Sequence, residues 1–324
     1  MKGSFIRKLI VLFTIVFFVS AVGCSENVSV ENKSKNDERI SVYTSFYTMY
    51  DFASKIGGDR VELHNLVPTG TEPHDWEPSP KDILSIEKAD VLVYNGAGME
   101  DWIEKILSSI RNEKLEVVEV SKDITLLKDD QEEHEEESSS EEGQENEDEH
   151  LENDPHIWLN PLLAKKQMEA IKNAFVKADP SNKDYYEKNY VDNAKKLDDL
   201  DSEYKEALSK YTKRDIIVAH KAFGYLCEAY GLRQVAIEGL NAESEPTPAR
   251  MAEIVKFARD NNVKVIFFEE LISPKVANAI AREVGARTEV LNPLEGLKEE
   301  DISAGKDYFS VMRENLEALK KALE

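Results

Sequence analysis

Residues 179–213 read DPSNKDYYEKNYVDNAKKLDDLDSEYKEALSKYTK. Beyond Pro180 the stretch holds no proline and no glycine. Tyr186, Tyr190, Ala194, Leu197, Leu200, Tyr204 and Leu208 recur at intervals of three and four, which is one apolar stripe along a helix. Asp179 at a cap position followed by Pro180 at the first helical position supplies a start signal. About 30 helical residues at 1.5 Å each reach roughly 45 Å. That is long for a globular helix, and it reads as a rod joining two lobes over residues 179–213.

What flanks the rod alternates. Before it, β-branched and apolar runs predict strands at 40–46, 61–67, 90–94 and 115–120. A helix ends near Gly57-Gly58 and another covers 102–110. After it, strands are predicted at 215–219, 234–237, 263–268 and 288–291, with helices over 223–230, 248–261, 274–284 and 308–323. Strand–helix alternation marks a parallel sheet covered on both faces. The fold class is therefore α/β: two parallel-sheet lobes with helices on both faces, residues 39–178 and 214–324, joined by one long α-helix. The length of 324 residues suits two such units. No short-period internal repeat is visible.

The N-terminus reads as an address. Lys2, Arg7 and Lys8 precede an apolar run over 9–19 that is short for a membrane span. The run ends in Ala21-Val22-Gly23-Cys24, which looks like a bacterial lipobox, with residues 1–23 a signal peptide and Cys24 the lipidated first residue after cleavage. An ordinary signal peptide, or a single anchor helix with Cys24 incidental, is the other reading of this segment. Residues 24–38 are polar, lack any helical or strand period, and read as a tether. Cys227 is the other cysteine. It sits in an apolar stretch as a small hydrophobe, so no disulfide is expected once Cys24 carries lipid.

The formal net charge is −23, with 64 acidic against 41 basic residues. A phosphate backbone demands a basic face, so nucleic acid is excluded as a partner. Fifteen of the acidic residues lie between 129 and 154, where there is no Lys or Arg. Such a block cannot bury apolar area, and it is expected to be a disordered loop within the first lobe.

The chemistry rests on histidines. Six are present, at 64, 74, 134, 150, 156 and 220. His74 lies in Thr71-Glu72-Pro73-His74-Asp75-Trp76-Glu77-Pro78, just past the second strand. His156 lies in Asp154-Pro155-His156-Ile157-Trp158, between the acidic segment and a helix. His220 ends the strand at Ile216-Ile217-Val218-Ala219. In open α/β sheets ligands bind outside the carboxyl ends of strands, which places His74 and His220 where a ligand would sit. His64, inside a predicted strand, reads as structural. Trp76 and Trp158 read as site walls or lobe contacts. There is no His-Glu-x-x-His, Cys-x-x-Cys or Gly-x-Ser-x-Gly, and Gly96 and Gly98 only weakly imitate a nucleotide loop. Spacing alone leaves metal binding and bland loop histidines about equally open.

The segments around His74, His156 and His220, with Pro293-Leu294-Glu295, resemble the metal-binding stretches of the ZnuA/AdcA family, the cluster A-I solute-binding proteins of zinc and manganese importers. The likeness runs from about Ile40 to the C-terminus. It implies a metal site between the lobes, with His74 and His156 supplied by the first lobe and His220 and Glu295 by the second. Manganese carriers of the family usually have Glu where this chain has His220. Three imidazoles and one carboxylate suit Zn2+ in a tetrahedral shell, whereas a second carboxylate shifts preference toward manganese.

The resemblance thus implies a zinc-binding protein of an ABC importer, with Zn2+ as transported substrate and the permease as partner. It would be a monomer held by lipid on Cys24 to the outer face of a Gram-positive cell membrane. No catalytic residue and no further cofactor is expected. The alternatives are a manganese-binding homologue, a zinc-dependent hydrolase using Glu72, Asp75 or Glu295 as base, and a surface adhesin. The acidic segment, with His134 and His150, is expected either to collect zinc weakly or to serve as a solvated spacer. Glu245 resembles a family segment near the cleft mouth, with a structural or importer-contact role. A single long helix between lobes predicts modest lobe movement on metal release, with a local change in the loop holding His220 or Glu295.

Overall fold

The computed structural model describes residues 39–128, 153–240 and 246–324. Cys24, the tether, His134, His150 and Glu245 therefore lie outside the described residues, as does nearly all of the acidic segment. The described residues belong to one compact unit that holds two four-stranded sheets.

The first sheet contains β1 (Ile40–Thr44), β2 (Val61–Asn65), β3 (Val91–Tyr94) and β4 (Glu116–Glu119) in the order β2-β1-β3-β4. The second contains β5 (Asp215–Val218), β6 (Arg233–Ala236), β7 (Val265–Phe268) and β8 (Arg287–Val290) in the order β6-β5-β7-β8. All pairings are parallel. Central strands of such sheets are covered on both faces and read as apolar runs. β3, Val-Leu-Val-Tyr, is buried at every residue, and Val42 of β1 lies between Leu63 and Val91. In each sheet the winding reverses beside the first strand, between β1 and β3 and again between β5 and β7. Ligand crevices open at the carboxyl ends of strands at such reversals.

Helices α1 (Tyr47–Gly57), α2 (Pro80–Ile86), α3 (Ile103–Ser109) and α4 (Pro161–Ala178) belong to the first lobe. α4 starts cleanly, with the Asn160 side chain accepting from Leu162 N and Pro161 in the first turn. The long helix α5 (Lys183–Leu208) has 26 residues, about 39 Å at 1.5 Å each. It starts later than the Asp-Pro signal implies. The Asp179 carboxylate accepts from Ser181 Oγ, Asn182 Nδ2 and Tyr186 OH at 2.5, 2.6 and 2.9 Å, holding a 3-10 turn over Pro180–Asn182 instead of capping the α-helix. It also ends at Leu208, whose carbonyl accepts from the Arg214 guanidinium at 3.2 Å.

α6 (Gly224–Tyr230), α7 (Pro248–Asp260), α8 (Lys275–Val284), α9 (Glu299–Ser303) and α10 (Tyr308–Leu323) complete the second lobe. α5 is bonded to both lobes. Near its start Asn189 donates to Ile56 O of α1 at 2.9 Å. Near its end Tyr204 OH donates to Met312 O of α10 at 2.5 Å, and Tyr204 stacks on Tyr230 with ring centroids 4.9 Å apart. Among the described residues no helix is long and apolar enough to cross a membrane.

Candidate metal centre

Each functional side chain leaves a stiff piece of backbone. His220 stands two residues beyond β5 and is fully buried. His156 opens a 3-10 turn over Ile157–Leu159 that runs into α4. His74 lies on the loop after β2, where the Glu72 carboxylate accepts its backbone N–H at 3.0 Å. Glu295 follows Leu294, which is held at a φ of 63°, a left-handed conformation that costs a leucine about 1–2 kcal/mol. The surroundings hold it there. Leu294 N donates to Asn292 Oδ1 at 2.7 Å, Asn315 of α10 brackets Asn292 at 2.7 and 2.9 Å, and the Thr48 hydroxyl of α1 donates to Leu294 O.

These pieces bring His74, His156, His220 and Glu295 together, with one donor atom from each within 4.8 Å of the others. A tetrahedron with metal–ligand bonds of about 2.0–2.1 Å has donor–donor edges of about 3.3–3.4 Å. His156 Nε2 lies 3.4 Å from His74 Nε2 and 3.3 Å from His220 Nε2. Glu295 Oε1 lies 3.5 Å from His74 Nε2 and 3.4 Å from His220 Nε2. The edge between His156 Nε2 and Glu295 Oε1 is 2.8 Å, the length of a direct hydrogen bond. Four of these five separations match a tetrahedral edge, and the fifth is that of a hydrogen-bonded pair, so the cluster is one that could hold a cation.

Two further carboxylates decide which ring nitrogen faces inward. Asp154 Oδ1 sits 2.8 Å from His156 Nδ1, and Glu269 Oε1 sits 2.5 Å from His220 Nδ1. An ionised carboxylate only accepts, so Nδ1 carries a proton in each ring, and Nε2 is the nitrogen left for a metal or, without one, for a second proton directed at Glu295. Neither carboxylate was singled out from the sequence. Asp154 closes the acidic run, and its charge does not stand apart from the others there. Glu269 is the first polar residue after the apolar strand β7, at the winding reversal, and that position is the signal that could have found it.

The centre is electrostatically tight. Burial opposes a charged His156, yet its hydrogen bonds to Asp154 and Glu295 outweigh burial and raise it above the ordinary 6.5. Burial likewise opposes charge on His220, but Glu269 and Glu295 hold it well above 6.5. Burial pushes Glu295 up, and the His220 charge with hydrogen bonds from the three imidazoles pulls it well below 4.5. A metal cation held by this cluster would therefore compete with protons for the same Nε2 lone pairs, starting above pH 6.5. Metal affinity is expected to fall as pH drops through the raised histidine values, with more than one proton released per ion. Calorimetry in buffers of different ionisation heat reads that number.

Stability of the metal-free protein runs the other way. The histidines' contribution is complete below 6.5 and is lost as pH rises through their raised values. An affinity that stays flat from about pH 8 to about pH 6 would contradict the competition.

His64 lies in β2, stacked on Tyr43 at 4.7 Å, with its side chain 40% exposed and outside the cluster of His74, His156, His220 and Glu295. Trp158 is a lobe contact, its ring N–H donating to Pro293 O at 2.7 Å. Trp76 packs edge-on against Trp102 at 5.7 Å. Cys227 is buried and in no disulfide, and burial pushes its thiol far up. The turn at Gly96 cannot hold a phosphate. The N–H groups of Asn95 and Gly96, the donors that role requires, both point at the Glu100 carboxylate at 2.9 Å.

Residues 42–322 match the family described as the periplasmic zinc-uptake complex component A, ZnuA. The chain belongs to the ZnuA family. It is 43% identical over 306 residues to the high-affinity zinc uptake system protein ZnuA of Bacillus subtilis, covering 94% of each chain. It is 38% identical over 318 residues to the zinc-binding lipoprotein AdcA of Streptococcus pneumoniae, covering 98% of this chain and 61% of that longer one. Among solved structures, the Zn(II)-bound ZnuA-like domain of Streptococcus pneumoniae AdcA superposes with a TM-score of 0.74 at 37% identity, covering 88% of this chain and 99% of that domain. Like these ZnuA-family structures, the present fold is α/β, with two parallel sheets joined by a long helix.

Proposed function

We propose that this protein captures Zn2+ outside the cytoplasm and hands it to the permease of an ABC-type importer, with His74, His156, His220 and Glu295 as the ligands. The observation that carries the reading is the convergence of three Nε2 atoms and one carboxylate oxygen, with four of their separations at tetrahedral spacing. Zinc prefers that donor set and geometry. Membership of a zinc-uptake family and likeness to a zinc-bound domain support the same ion. Cys24 in its lipobox would hold the protein, as a monomer, on the outer face of the membrane, in keeping with the lipoprotein relative.

Hydrolysis is disfavoured because four protein donors leave no position for an attacking water. The Glu72 carboxylate, a possible base, is engaged by the N–H groups of His74 and Asp75. A manganese role is disfavoured by His220, since manganese prefers a harder, oxygen-richer shell. Adhesion makes no demand for buried histidines.

The test is metal analysis of protein purified without chelators, followed by competition between zinc and manganese. About one zinc per chain, retained against a large excess of manganese, is expected. Retention of manganese, or a water found in the zinc shell, would overturn the reading.

A further inference from the structure

His156 belongs to the first lobe, but the carboxylate that orients it is gripped by the second. Asp154 Oδ1 takes both the backbone N–H of His156 at 2.9 Å and its ring Nδ1 at 2.8 Å. The other oxygen, Oδ2, lies against Gly224 at the start of α6. A Cβ added to Gly224 would stand well inside van der Waals contact with Oδ2. Asp154 is short, and its Oδ1 is pinned by two hydrogen bonds, so it cannot swing away and still serve His156.

The next residue of α6 makes an independent hold. Tyr225 OH donates to Asp154 O at 3.1 Å and accepts from Leu127 N at 2.9 Å. Leu127 and Asp154 are themselves joined by Asp154 N to Leu127 O at 2.8 Å, beside an antiparallel bridge between Lys128 and Asn153. One buried hydroxyl of the second lobe therefore clasps two chain segments of the first, immediately before His156.

We infer that Gly224 and Tyr225 are positioning residues: they form a seat through which the second lobe holds Asp154 and so aims His156 Nε2 at the metal. The inference rests on the zinc-binding reading above. Its consequence is that a ligand of the first lobe is correctly aimed only while α6 lies against Asp154. Parting of that contact loosens His156 without any change in His156 itself. Glycine at 224 is required by the carboxylate opposite, since the position has no positive φ to demand it.

The test is zinc affinity by chelator competition in the full protein and in Gly224→Ala, Asp154→Ala, the two combined, and Tyr225→Phe. Outer partners of metal-bound histidines are worth about 10–100-fold in affinity, and Gly224→Ala and Asp154→Ala are each expected to lose that much. The combined variant should be weaker than Asp154→Ala alone by no more than about twofold, because the added methyl then has no carboxylate to displace. Tyr225→Phe should lose about three- to tenfold, one hydrogen bond's worth.

Failure of the unaltered protein to bind zinc would refute the functional reading itself. With that binding intact, additive losses in the combined variant, or wild-type affinity in Gly224→Ala, would overturn the seat. Should Gly224→Ala not fold, wild-type affinity in Tyr225→Phe overturns it instead. A merely structural role would lower the unfolding midpoint of Tyr225→Phe and leave its zinc affinity at the parent's value, whereas positioning lowers the affinity.

Discussion

Replacing His220 with alanine is expected to lower zinc affinity by more than about 100-fold, since partners one shell further out are already worth about 10–100-fold. The ring is fully buried, and its Nε2 lies 3.3 Å from His156 Nε2 and 3.4 Å from Glu295 Oε1. Its loss removes one corner of the tetrahedron. It also leaves the Glu269 carboxylate, buried 2.5 Å from the former ring nitrogen, without that donor. The strand before it, Ile216 to Val218, keeps its core packing, so the fold should survive. Chelator competition measures the effect, with His64→Ala as a control that should bind like the parent. A His220→Ala protein within about tenfold of wild type would remove His220 from the shell.

Trp158→Ala is expected to cost the metal-free protein about 3–5 kcal/mol, the usual penalty for emptying a buried aromatic site. The Pro293 carbonyl left without its donor adds about 1–3 kcal/mol. Against a total stability of about 5–15 kcal/mol, that is a large share. The residue is fully buried, and it ties the lobes in both directions: its ring N–H donates to Pro293 O at 2.7 Å, and Tyr308 OH donates to its carbonyl at 2.6 Å. Pro293 is two residues before Glu295, and Trp158 is two residues after His156. One side chain therefore fixes the spacing of two ligands that come from different lobes. Thermal unfolding without metal should show a midpoint about 10 °C lower, with weaker zinc binding beside it. A midpoint within about 2 °C of the parent would show that the cavity collapses and the tie is dispensable.

Both expectations depend on residues that are far apart along the chain. His74 and His156 are 82 positions apart, His156 and His220 are 64 apart, and His156 and Glu295 are 139 apart. Residue periodicity could not link them, because it reports only which face of a local helix or strand a side chain takes. Resemblance to a family named them as a set, while their convergence is a matter of geometry. Asp154 and Glu269 show the same limit more sharply. Asp154 looked like one more charge at the end of an acidic run, and Glu269 like the polar end of a strand. The Gly224 contact left no trace in the sequence, since the glycine answers to a carboxylate 70 residues earlier rather than to its own backbone.

By itself the amino-acid order determined the alternation of strands and helices, the long apolar-striped helix between two groups of strands, and the acidic balance that turns the protein toward cations. Those properties follow from local spacing and from charge, which need no knowledge of neighbours in space. Tertiary structure alone decided where α5 begins, which nitrogen of each buried ring points inward, and which carboxylates hold those rings. The reason is physical: a proton's place on an imidazole, and a helix end held by an aspartate turn, depend on atoms brought within about 3 Å by packing.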